Sequence, residues 1–159
     1  MSLLRMIGAA VVVLSGICAA YLFNSGTKQT LRQTESFISL LRFLRSQIEC
    51  FSLPLPSALS RCPFEILRGC GYNESKAPSS AKQLMSGCFI YDDCVRRSME
   101  RFFFEAGRGY REEQLSLCDY CISLIEERRA NMTSQLPMKI KVNSALSIAG
   151  AAAVIVLLI

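Results

Sequence analysis

Apolar residues recur at helical steps through the middle of the chain. From about Thr30 to Phe51 they fall at Leu31, Phe37, Ile38, Leu41, Leu44, Ile48 and Phe51, and steps of three, four and seven define one stripe of an amphipathic helix. Thr30 and Gln33 have the spacing of a capping box, so the pattern predicts that this helix starts afresh at Thr30. Pro54 and Pro56 end it. Short helices are then predicted around Ala58 and Leu59 and from Pro63 through Leu67, stopped by Gly69 and Gly71. Tyr72 to Pro78 is polar and reads as a loop. Ser80 to Gln83 repeats the capping-box spacing and opens a short helix that Gly87 closes.

Two longer helices follow. Over Asp92 to Ala106, Val95, Met99, Phe102, Phe103 and Ala106 form a core stripe, with Asp92 or Asp93 favourable at the positive end of the helix. From about Glu112 to Met132, Leu115, Cys118, Ile122 and Ile125 share a face, and Pro137 marks a boundary or kink beyond. No run of alternating β-branched and polar residues suggests a sheet. The expected class is all-α.

The two ends differ from the middle. Met6 to Phe23 and Val142 to Ile159 are each 18 residues without a charge. A helix of that length is about 27 Å long, close to the roughly 30 Å hydrocarbon core of a bilayer. The expected organisation is therefore a transmembrane helix in 1–23, a small helical bundle in 24–141 and a second transmembrane helix in 142–159. Lys28 and Arg32 follow the first segment, and Arg128, Arg129, Lys139 and Lys141 precede the second, which places the bundle in the cytoplasm by the positive-inside rule. A cleaved signal peptide competes for the first segment, since Arg5, an apolar stretch and the small pair Cys18 and Ala20 loosely fit that pattern. Ile17, standing before Cys18 where a small residue is expected, argues against a lipoprotein anchor.

Charge narrows the partners. The chain carries 18 Lys and Arg against 13 Asp and Glu, a net charge of +5, and all of them except Arg5 lie in 24–141. That excess suits anionic lipid headgroups and is too dispersed for nucleic acid, where a basic stripe is expected. Catalytic chemistry is not visible: there is no phosphate loop, no nucleophile elbow and no His, and the pairs Asp92–Asp93 and Glu112–Glu113 sit near helix starts, where they complement the dipole. No cofactor and no metal site are expected. Eight cysteines stand out, and their default role in a cytoplasmic bundle is that of small buried hydrophobes. Two alternatives use them: a membrane-bound thiol oxidoreductase working through Cys118 and Cys121, or an exported, disulfide-bonded module held by its C-terminal span.

Two candidate surfaces emerge from periodicity. At 100° per residue Phe104 falls nearly opposite the core stripe of its helix, close to Arg97 and Arg101, a composition enriched in binding hot spots. Near the C-terminus Ala145, Ala149 and Ala153, with Gly150 beside them, form a small-residue ridge on which another membrane helix can approach.

As a whole the chain resembles the stage III sporulation protein AB family of endospore-forming bacteria. The resemblance is carried by the stretch Leu40 to Ile48, by Pro54 to Leu59, by Gly107 to Gln114, and by a terminal segment led by Met138–Lys139 and ending in the aliphatic run Val154 to Ile159. Gln47 and Ser57 depart from it, standing where an acidic residue is expected. The resemblance implies a relative of the type II secretion platform protein: a non-enzymatic membrane scaffold in the mother-cell membrane, part of the channel apparatus that joins mother cell and forespore. Its implied partners are a secretion-type ATPase, stage III sporulation protein AA, and other channel subunits. A homo-oligomer is open.

Overall fold

In the computed structural model the backbone is described for residues 2–158, and side chains for 11, 14–18, 20–22, 24–146 and 148–150. Six helices follow one another: α1 (Ser2–Phe51), α2 (Leu55–Ser60), α3 (Phe64–Gly69), α4 (Ala81–Gly87), α5 (Asp93–Glu105) and α6 (Arg111–Leu158). The chain forms two compact units, one of residues 30–132 and one of residues 1–29 with 133–159.

The expected flanking transmembrane helices are not supported. Among the described residues no helix is long and apolar enough to cross a membrane. The terminal segments are instead the ends of α1 and α6, which run on into charged sequence. Within the expected spans the described side chains include Ser15 and Gly16 in α1 and Asn143 and Ser144 in α6. The side chains of 1–10, 12, 13, 19, 23, 147 and 151–159 lie outside the described residues, so those parts of the expected spans do too. Nor does a helix begin at Thr30, since α1 continues through it. Pro137 likewise falls inside α6 and does not end it.

Within the unit 30–132, α1 and α6 pair antiparallel. Glu35 meets Arg129, Arg42 meets Glu126 and Arg45 meets Asp119, so numbers rise along one helix as they fall along the other. At the end of this ladder the Arg111 guanidinium donates to the carbonyls of Ile48, which also accepts from the Ser52 N–H, and of Glu49 in the last turn of α1. Solvent screens these exposed ion pairs, so they set register more than stability. Stability lies in the core, where Phe37, Leu40, Leu41 and Leu44 of α1 meet Leu59, Leu67, Leu84, Met99, Phe102 and Ile125.

The connections on both sides of α4 are tied to α1 by one side chain. Gln33 is buried, and its Nε2 donates to the carbonyls of Cys70 (2.9 Å) and Phe89 (2.6 Å) while its Oε1 accepts from the Tyr91 N–H (3.0 Å). The residue expected to cap a helix start thus serves tertiary structure. Gly71 fits beside it because its φ is +93° and an added Cβ would stand 2.9 Å from Gln33 Nε2. Tyr72, expected in a polar loop, is core: its ring is buried and its hydroxyl donates to Glu74 (2.9 Å) or to the Lys76 carbonyl (3.1 Å). A single bridge, Tyr72 to Cys88, is the sole extended pairing among the described residues.

Candidate partner surface on the outer face of α5

Asp92 sets the start of α5. Its Oδ1 accepts from the N–H groups of Cys94 (3.0 Å) and Val95 (3.1 Å), satisfying donors of the first turn, and Arg128 of α6 reaches its Oδ2 at 2.9 Å. Burial alone would raise the Asp92 carboxyl. The Arg128 hydrogen bond, the Val95 and Cys94 N–H groups and the Arg128 charge outweigh it and hold the carboxyl below its ordinary range.

Anchored there, α5 presents two unlike faces. Val95, Met99 and Phe102 point inward and are fully buried, with Phe103 and Ala106 packed at the edge of the core. Arg97, Arg101 and Phe104 point outward, and Phe104 is 66% exposed, so no helix of the bundle covers it. Arg101 pairs with Glu105 at 2.9 Å, and the hydrogen bond and charge of Glu105 hold its proton more tightly than usual. Its guanidinium also lies over Tyr120 of α6, 5.5 Å from the ring centroid. A groove of about 260 Å³ runs beside it between α5 and α6, lined by Arg97, Arg101, Tyr120 and Leu124 among others.

Two contributors to this face were not legible in the sequence. Gly107–Arg108–Gly109 reads as helix punctuation, yet the turn, with Gly107 at φ +86°, places the Arg108 guanidinium 4.1 Å from the centre of the Phe104 ring. Tyr120 lies inside Cys118-Asp119-Tyr120-Cys121, where attention falls on the thiols. A Tyr two residues from a buried Cys on a helix is a weak signal, and only the packing of α5 on α6 gives it meaning.

The other candidates fare differently. Cys118 and Cys121 are both buried, and burial pushes Cys118 up to about 12 and raises Cys121 as well. A redox pair needs the opposite shift, so the geometry offers the thiol oxidoreductase no support. All eight thiols are free, which gives the disulfide-bonded module none either. Among the described residues no group of three or more metal-ligating side chains is found. Ala145, Ala149 and Gly150 are exposed on α6, with open space where a Gly150 Cβ would stand, while the side chain of Ala153 is outside the described residues.

Fold and surface together define a small helical-bundle protein with an outward face rich in arginine and aromatic rings. Residues 5–67 match the family model of stage III sporulation protein AB, which supports the family reading and with it a role in sporulation. The matched stretch holds most of α1, all of α2 and the first part of α3; the face just described lies beyond it. No curated protein and no solved structure matches the chain.

Proposed function

We propose that the chain is a non-enzymatic scaffold of the mother cell to forespore channel apparatus, and that it docks a secretion-type ATPase of the stage III sporulation protein AA kind through Arg97, Arg101 and Phe104. The observation that carries the proposal is the exposure of Phe104, flanked by arginines, on a helix whose opposite face is buried. A large aromatic ring left in water is an unused source of binding energy, and Arg and aromatic residues dominate interface hot spots. The proposed location is the cytoplasmic side of the mother-cell membrane, where Lys28, Arg32, Lys139 and Lys141 face anionic headgroups and the bundle meets the ATPase. Other channel subunits and further copies of the chain complete the expected assembly.

Co-purification with the ATPase from sporulating cells tests the docking. The Phe104→Ser chain should recover much less ATPase than the parent while its helicity is unchanged, and equal recovery would remove the surface. A reporter active only in the cytoplasm, inserted in the exposed loop near Ser75, tests the location. Silence of that reporter, with activity of an exported one at the same site, would overturn it.

A further inference from the structure

The outer face of α5 carries arginines in two different states. Arg101 has its ring-stacked guanidinium already bonded to Glu105. Arg97 and Arg108 form no ion pair among the described residues: Arg97 gives its Nε to the Asp93 carbonyl at 3.2 Å, and Arg108 rests on Phe104. The carboxylates that share a hollow with Arg108 are engaged elsewhere, Glu105 by Arg101 and Glu113 by the Tyr110 N–H at 3.0 Å. The Arg108 guanidinium, 4.1 Å from the ring centre and in no ion pair among the described residues, keeps its N–H donors for a ligand. It has also given up part of its rotamer freedom, so it loses less on gripping a carboxylate.

Charge selects the occupant. Glu105, Glu112 and Glu113 lie near Arg101 and Arg108, so the summed charge of this region is close to neutral and a uniform anionic lipid surface gains little from it. Separate carboxylates on a protein segment, with an apolar side chain between them, match two unpaired guanidiniums flanking an exposed ring. We propose that the outer face of α5 binds an acidic segment of a partner protein, its carboxylates held by Arg97 and Arg108 and an apolar side chain laid against Phe104. This rests on the reading of the face as a partner surface and adds the chemistry of the partner.

The test uses the full-length chain, the stage III sporulation protein AA-type ATPase from the same cells as probe, and a photo-crosslinking residue in place of exposed Tyr110. With Arg97→Glu and Arg108→Glu combined, ATPase binding should weaken by about tenfold or more. Lys76→Glu with Lys82→Glu, an equal charge reversal off the α5 face, should leave it unchanged, and binding of the parent chain should fall with salt. Arg97→Gln with Arg108→Gln provides a second variant, and circular dichroism of both variants should match the parent. Retained binding in both variants would overturn the inference and leave the scaffold proposal standing. If the ATPase does not bind the parent chain, the docking proposal fails. The inference then stands only if crosslinking in sporulating cells yields an acidic peptide of another protein that is lost in the charge-reversed chain. Adducts only with lipid, only with a second copy of this chain, or none at all would overturn it.

Discussion

The inner and outer faces of α5 share one residue type, phenylalanine, and put it to opposite work. Phe102 and Phe104 stand two positions apart; one is fully buried and the other is 66% exposed. Inside, the ring is fully buried in the core that also holds Met99, Val95, Cys118 and Cys121, and it meets Phe103 edge to face at 5.2 Å. Outside, the ring is fixed by charge, pinned under Arg108 and bordered by Arg101 with its carboxylate partner. Aromatic content therefore says little about a helix until the angle of each ring is known. The angle of Phe104 was calculable from its number, whereas its cover was not.

The most severe way to break the contrast is Phe102→Ala. Loss of a fully buried ring leaves a cavity that a close-packed core fills poorly, and unfolding free energy should fall by about 3–5 kcal/mol in denaturant titration. Asp92→Ala acts on both faces at once, because it removes the cap of α5 and leaves Arg128 without its partner. A loss of about 1–3 kcal/mol is expected by the same measurement.

The pH dependence sharpens the second effect. The Asp92 carboxyl is held below its ordinary range in the folded chain, so its contribution is fully present above the unfolded value of about 3.9 and is lost as pH falls through the lower folded value. Stability measured from neutral pH downward should therefore drop less steeply in Asp92→Asn, which keeps the capping oxygen but cannot titrate. Equal slopes for the two chains would show that Arg128 adds nothing to the charged form. The smallest effect is the most diagnostic: Phe104→Ser should change stability by no more than about 0.5 kcal/mol, as for other exposed positions. A loss near that of Phe102→Ala would make the two faces alike.

Much of this was legible in the chain itself. The stripes over Thr30 to Phe51 and Asp92 to Ala106 gave most of the buried sides of α1 and α5, because helical periodicity is a local property, though Phe51 of the first stripe is exposed and Leu40 outside it is fully buried. Ser80 and Asp92 cap their helices as their positions suggested. Tyr72 was missed because one aromatic residue in a polar stretch has no period, and its burial depends on Gly87, where an added Cβ would strike the Tyr72 ring. Arg108 was missed because the turn that returns it to Phe104 lies outside any helix. The terminal segments stand apart: much of both expected spans lies outside the described residues, and among the described residues no helix is long and apolar enough to cross a membrane.

The three bonds of Gln33 span 37, 56 and 58 residues of chain. No local winding of α1 can form them, because the loops that carry Cys70, Phe89 and Tyr91 must first close. They belong to the far side of the folding barrier, as a lock that engages after the helices have met. Shortening this side chain should then speed unfolding and leave refolding almost untouched in a chevron experiment, and a slowed refolding limb would place the lock in the nucleus. Time spent before that lock engages is time in which the segment between α3 and α5 is open to proteolysis, a kinetic vulnerability located in one amide group.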